Sequence, residues 1–329
     1  MTALHKVQAL LIIFTLGMIA LGLFVAGRFQ SDIQQARARV ASGGSVLSTP
    51  CGAIEYQETG SGMPLLTVHG SGGGYDQGMA FAAPLARRGI RVIAISRFGY
   101  LRTPMPADAS AEAQADAHAC LLDALGIAQA AILGGSAGAP SALQMAIRHP
   151  DRVSALILVA PLAYKPPEQA DSVAPMAPWV ENTMMAVIGS DFLFWSAAHL
   201  ARAQMTNTVL ATPPALLKNA SVPEQARINA MLDDILPVSA RAAGLRSDSA
   251  VGRNLRPSPL ELVRAPTLII AARDDRYGTY ASAEYTASHI AGARFIGFET
   301  GGHTWVGHND EVMDAIAATV AQSKGNAER

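Results

Sequence analysis

The stretch Gly134-Gly135-Ser136-Ala137-Gly138 places a serine between glycines two residues before and two residues after it. The apolar run Ala131-Ile132-Leu133 precedes it, and a helical stretch from Pro140 to Arg148 follows. A strand, G-x-S-x-G and a helix in that order describe a sharp turn that exposes a serine hydroxyl as a nucleophile. Such a turn crowds its neighbours, so positions 134 and 138 must be nearly free of side chain, and glycine meets that demand. A helix starting beside Ser136 also favours the negative charge that develops in acyl transfer. The competing reading, an ordinary glycine-rich turn, does not account for the flanking strand and helix.

A hydroxyl is a weak nucleophile and needs a base, which is itself oriented by an acid. With this serine turn the chain order is serine, acid, histidine. The run Thr267 to Ile270 leads into Arg273-Asp274-Asp275-Arg276, and the run Phe295 to Phe298 leads into Gly301-Gly302-His303. Both polar groups are thereby expected at the carboxyl ends of late strands, the edge where open α/β sheets carry their sites. Of the eight histidines, His5 precedes the apolar N-terminal run, and His118, His149, His199 and His289 fall in helical patterns. His308 is close enough in sequence to neighbour the site; His303, in a post-strand glycine loop, is the expected base. Spacing alone leaves Asp274 and Asp275 both open as the acid.

Val68-His69-Gly70-Ser71-Gly72-Gly73-Gly74 follows the first clear strand. Its backbone N–H groups at Ser71 and Gly72, with that of Ala137, are the expected oxyanion hole. A phosphate cradle is the alternative, but the Gly-Lys-Ser/Thr ending of a P-loop is missing. His69 reads as structural. No His-x-x-x-His pair, cysteine pair or dense carboxylate group suggests a metal, and no cofactor is expected.

The elements that must position these groups follow from the hydrophobic pattern. Apolar runs rich in β-branched residues lie at 64–68, 92–95, 130–133, 155–159, 267–270 and 294–298, with helical patterns between them such as Ala111 to Leu125 and Val312 to Val320. Near-continuous apolar strands alternating with helices predict an α/β fold, a mostly parallel sheet covered on both faces. The strand rhythm stops between Pro161 and Val263. That stretch, read as a helical cap over residues 162–262, carries apolar bulk at Trp179, Met184, Met185, Phe192, Phe194, Trp195, Met205 and Met231. Most of these are expected to form the cap's own core, and some to line a pocket. The α/β core is then 46–161 and 263–329, preceded by an N-terminal segment 1–45.

In that segment no residue from Val7 to Gly27 is charged, a run of 21 residues, and about 20 are needed to span a bilayer. A cleaved signal would have a shorter apolar region of about 7–15 residues, so an uncleaved single-pass membrane helix is the expectation over a signal or a buried helix. Gln30 to Ser45 reads as a short helix and a Gly43-Gly44 linker. Arg28, Arg37 and Arg39 against Lys6 favour a cytoplasmic C-terminal side. The short basic leader, however, is that of an export signal, and the exported side is the expectation. The net charge of −1 gives no support for nucleic-acid binding. Two cysteines, Cys51 and Cys120, are too few for a disulfide framework, and Cys120 reads as a small buried residue that leaves the compartment open.

Taken together, the His69-Gly70 segment, Ser96-Arg97-Phe98-Gly99-Tyr100, the Ser136 turn, Arg273-Asp274-Asp275-Arg276 and Gly302-His303 resemble the α/β-hydrolase superfamily, in particular its serine-nucleophile esterase and carbon–carbon hydrolase-like members. The resemblance runs from Gly52 to the C-terminal helix, the cap matching only in position and helical character. It implies that Asp275, fourth in the turn counted from Ala272, is the acid. Members of this family often have Asp where Ser96 stands and Gly-x-Ser where Leu101-Arg102-Thr103 stand, which separates this chain from the iminopeptidase-like members. Dehalogenases and epoxide hydrolases carry Asp in place of Ser136. The expected activity is hydrolysis of a small apolar carboxylic ester through an acyl-enzyme on Ser136. Carbon–carbon hydrolysis, perhydrolysis, or a non-catalytic binding module of the same fold are the alternatives.

Overall fold

The computed structural model describes residues 3–166, 186 and 188–327. The chain divides into two units, 1–42 and 43–329. The first is carried by α1 (Ala3–Gly43), which runs unbroken through the stretch expected to hold a short helix and linker. In its apolar stretch Leu10, Ile13, Phe14 and Leu23 are more than half exposed. This is one helix long and apolar enough to cross a membrane.

The second unit is built on an eight-stranded sheet: β1 (Ser45–Thr49), β2 (Gly52–Thr59), β3 (Met63–Val68), β4 (Ile90–Ile95), β5 (Ala130–Gly135), β6 (Val153–Val159), β7 (Thr267–Ala272) and β8 (Arg294–Phe298). Their spatial order is β1-β2-β4-β3-β5-β6-β7-β8. Strands β3 to β8 pair in parallel; β1 and β2 add an antiparallel edge. The six apolar runs became the six parallel strands. The edge hairpin was not anticipated because most of its residues are exposed or half-exposed and polar ones interrupt it, so it carries no continuous apolar signal.

Alternate strand residues face opposite sides of the sheet, and each side has its own helices. Leu66, Ile93, Ile132, Leu156 and Ile269 pack with Leu121 of α3 (Ala111–Ala124), Leu143 of α4 (Ala139–Arg148) and Ala283 of the helix Thr279–His289. Leu65, Val92, Leu133, Ile157 and Ile270 pack with Ala82 of α2 (Tyr75–Ala82) and with Val312 and Ile316 of the helix Asn309–Ala327. Ser110 caps α3 by accepting the Ala113 N–H at 3.1 Å.

Between β6 and β7 the described elements include α5 (Asp191–Leu200), α6 (Arg202–Thr208), α7 (Pro214–Asn219), α8 (Val222–Asp233) and α9 (Ala242–Arg253). Phe194, Trp195 and Met205 are buried there, whereas Phe192 is exposed. Trp179, Met184 and Met185 lie outside the described residues.

The reading of Cys120 as a lone buried residue is corrected. Cys51, at the β1–β2 turn, and Cys120, on α3, form a disulfide with Cα atoms 6.1 Å apart and a sequence separation of 69. The cysteine count gave no hint of this. Two residues that distant in sequence meet only because the edge hairpin folds down beside α3.

Candidate active site

Ser136 follows directly on β5 with φ of +48°, a left-handed backbone that non-glycine residues seldom adopt. The two glycines of the motif are required by close approach. A Cβ at Gly138 would lie 2.3 Å from the Val68 carbonyl oxygen, and one at Gly134 would lie 2.7 Å from Ala142 Cβ. The turn is thus clamped between β3 and α4, and Ser136 stands half-buried at the carboxyl edge of the sheet. Its carbonyl accepts from Leu162 N at 3.0 Å.

The loops after β7 and β8 bring their polar residues to the same edge. His303 Nδ1 lies 2.8 Å from Asp275 Oδ2. The other Asp275 oxygen accepts from Tyr277 N at 2.8 Å, and Thr279 Oγ1 also donates to Oδ2. Burial alone would raise the Asp275 carboxyl; the neighbouring His303 and these donors outweigh it and hold the group below the usual carboxylate range. An ionised Asp275 fixes the proton of His303 on Nδ1 and leaves Nε2 as acceptor. Asp274 has a separate task, accepting the Gly302 N–H at 2.7 Å and so bracing the histidine loop. His308 is not part of this pair; its ring stacks on Phe298 at 3.9 Å.

The segment between β6 and β7 ties the two loops together. The Ala211 carbonyl accepts both Arg276 N at 3.0 Å and His303 N at 3.4 Å, and Thr212 Oγ1 meets Thr304 Oγ1 at 2.9 Å. From α8, Arg227 donates to the Thr304 carbonyl at 2.7 Å and Glu224 accepts the Gly307 N–H at 3.1 Å.

The glycine loop after β3 passes beside the serine: a Cβ on Gly70 would lie 3.0 Å from Ser136 Cβ. His69 is buried, and burial, then the charge of Arg97, pushes its pKa well below the ordinary histidine value. The neutral ring receives Arg97 N–H at Nε2 (2.9 Å) and donates from Nδ1 to Gly70 O (2.7 Å). It is a structural strut, as its position in the sequence suggested. The Ser96 departure also has a physical account. Ser96 Oγ accepts Tyr75 N–H at 3.1 Å and donates to the buried Glu55 carboxylate at 2.8 Å, so β2 supplies the acid that position 96 lacks.

Beside the loop lies a cavity of about 250 Å³ lined by Gly72 and Gln77, by Phe81 of α2, by Met231 and Ile235 in and after α8, and by Met313. An apolar cavity of roughly 150 Å³ already holds a benzene ring, so this one has room for an aromatic group or a short alkyl chain. Sequence reasoning passed over the buried charges Arg241 and Asp248, and gave the buried Arg97 no role of its own. A buried charge carries no local sequence signal, because its partner lies elsewhere in the chain.

Comparison with known proteins agrees with this architecture. The family model described as alpha/beta hydrolase fold matches residues 63–306. A 2-hydroxymuconate semialdehyde hydrolase of Pseudomonas sp. (strain CF600) is 39% identical over 106 residues, 31% of this chain and 38% of that relative. The chain therefore matches well under two thirds of that protein's length. Among solved structures, an alpha/beta hydrolase fold protein from Nakamurella multipartita superposes with a TM-score of 0.66 at 26% identity, covering 84% of this chain and 98% of the other. A hydrolase from Pseudomonas aeruginosa PA01 gives a TM-score of 0.61 at 25% identity, with coverage of 87% and 99%.

Proposed function

Because the chain belongs to the α/β-hydrolase family, we propose that it is a serine hydrolase that transfers an acyl group to water through Ser136. The observation that carries this reading is the Asp275–His303 hydrogen bond at the sheet edge where Ser136 sits in a strained turn. Ser136 Oγ attacks the carbonyl carbon of a small apolar carboxylic ester while His303 Nε2 takes its proton. Asp275 keeps the imidazole in the required tautomer and stabilises the imidazolium. The N–H groups of Ser71 and Ala137 hold the oxyanion; the Gly72 N–H, also expected there, instead donates to Tyr100 Oη at 3.4 Å. His303 then protonates the leaving alcohol, and a water activated by the same imidazole releases the acid and restores Ser136. The cavity beside Gly72 accepts the apolar part of the substrate, under a cap formed by the helices between β6 and β7.

The deciding experiment is hydrolysis of a short p-nitrophenyl ester by the full chain beside Ser136→Ala, with fluorophosphonate labelling of Ser136. Turnover and labelling that both vanish in the variant support the reading; a folded wild type that does neither sinks it. Carbon–carbon bond hydrolysis with the same three residues is the second reading, favoured by the likeness to the 2-hydroxymuconate semialdehyde hydrolase of Pseudomonas. Release of a carboxylic acid from a dienoic ketone, with esters left untouched, would select it.

For location, we infer that α1 holds the protein in a membrane with the globular unit on the exported side. The supporting observation is the Cys51–Cys120 disulfide, since such bonds persist in oxidising compartments. Alkylation of unreduced protein taken directly from cells tests it. Blocked cysteines fit export, and two freely modified thiols contradict it.

A further inference from the structure

Of the four backbone N–H groups at positions 70 to 73, three are already in use. Gly70 N donates to Gln77 Oε1 at 3.0 Å, Gly72 N to Tyr100 Oη at 3.4 Å, and Gly73 N to Gly70 O at 3.3 Å. Among the described residues the Ser71 N–H has no acceptor. Of these four, in a loop whose Gly70 lies against Ser136, it is the donor left open for an oxyanion.

The direction of that N–H depends on how residue 71 is held, and its holder comes from the other end of the unit. Ser71 Oγ donates to Asp248 Oδ2 of α9 at 2.8 Å. The same carboxylate accepts Tyr100 Oη at 2.5 Å and a bidentate pair from Arg97 at 2.8 and 2.7 Å. Arg97 in turn donates from Nε to the His69 carbonyl at 2.9 Å. Seven residues earlier, the fully buried Arg241 donates to the Gly73 carbonyl and pairs with Asp76 at 2.6 Å. Its remaining donors go to Ile235 O and Asp234 O, both at 2.9 Å. The segment is locked to the core by backbone as well: Leu101 N donates to Ala240 O at 2.9 Å and Gly244 N to Gly99 O at 3.0 Å. At position 244 the fit is close enough that a Cβ would lie 2.1 Å from the Tyr100 ring.

We propose that Asp248 and Arg241 are positioning residues that grip the glycine loop at Ser71 and at Gly73, and so aim the Ser71 N–H at the oxyanion formed on Ser136. Both ion pairs are buried, so releasing either strands an uncompensated charge; the loop is held in one geometry rather than left to fluctuate. Preorganised donors of this kind act because they need no rearrangement when charge develops. The segment from 238 to 253 is then a fixed part of the catalytic frame. This inference rests on the acyl-transfer reading of Ser136.

The test uses the full chain in detergent, with two readouts: steady-state hydrolysis of a short p-nitrophenyl ester, and amide exchange of the peptide spanning the glycine loop. Ser71→Ala removes the hydrogen bond to Asp248 and leaves the Arg97–Asp248 pair in place. It is expected to lower kcat by about 10-fold or more at nearly constant KM, where outright loss of a donor costs about 10²–10³. Loop exchange is expected to quicken by about 10-fold. Ser71→Thr, which keeps the hydroxyl, restores both. Asp248→Asn gives the larger fall, near 100-fold; should it not fold, the Ser71 pair of variants decides. Wild-type kcat and wild-type exchange in Ser71→Ala overturn the proposal. A wild type that neither hydrolyses esters nor takes a fluorophosphonate removes the acyl-transfer reading instead, and loop exchange alone then judges the grip.

Discussion

Asp275 meets His303 through one oxygen, Oδ2 to Nδ1 at 2.8 Å, with the other oxygen tied to the Tyr277 N–H. Replacement by asparagine keeps the shape and removes the charge that selects the Nδ1 tautomer. Asp275→Asn is expected to lower kcat by about 10⁴ with little change in KM, whereas Asp274→Asn, which only loosens Gly302, costs far less. Steady-state kinetics of the two variants on one ester distinguishes them, and equal losses would contradict the assignment.

The same carboxylate sets part of the acid stability. Its native pKa is held below the usual range, so its stabilising contribution is complete above the unfolded value of about 3.9 and is lost as pH falls through the lowered native value. The stability difference between wild type and Asp275→Asn is therefore constant near neutrality and shrinks below about pH 4. Urea unfolding of both proteins over an acid series measures it; a difference that grows on acidification has the wrong sign for this account.

At Gly138 the space for a Cβ is occupied by the Val68 carbonyl oxygen, 2.3 Å away. Because that atom is backbone in the middle of the sheet, Gly138→Ala must displace β3 or the serine turn. Overpacking of this kind costs about 1–3 kcal/mol, and activity is expected to fall with it. Gly17→Ala, with nothing within 4 Å, serves as the neutral control in a thermal melt.

Joining Cys51 to Cys120 closes a loop across 69 residues. By the chain-entropy model such a link is worth about 4 kcal/mol. Reduction, or replacement of both cysteines by alanine, is expected to lower the melting temperature by several degrees and leave kcat near wild type, since neither residue touches the site. An unchanged melting temperature would mean that the bond carries little of the fold.

The cavity beside Gly72 gives a prediction about selectivity. Ala230 of α8 lines it with Met231, so Ala230→Phe fills space that a substrate's apolar group would occupy. KM for longer acyl esters is expected to rise while that for acetate esters holds. A parallel rise for all chain lengths would place the substrate elsewhere.

The amino-acid sequence by itself determined the parallel strands, the serine turn and the histidine loop. Each rests on a local signal: a run of β-branched residues long enough to be buried on both faces, or glycines where a side chain cannot fit. It also marked the apolar N-terminal helix, whose length and lack of charge are local properties. It left two aspartates open from spacing alone, since a one-residue shift in a loop changes which carboxylate turns inward; the fold aims Asp275 at His303 and Asp274 at Gly302. Tertiary structure alone decided the Cys51–Cys120 bond, the Glu55 carboxylate behind Ser96, and the grip of Asp248 and Arg241 on the glycine loop. The physical reason is the same in each case. A buried charge or thiol is accounted for only by its partner, and here the partners lie between 41 and 177 residues away along the chain.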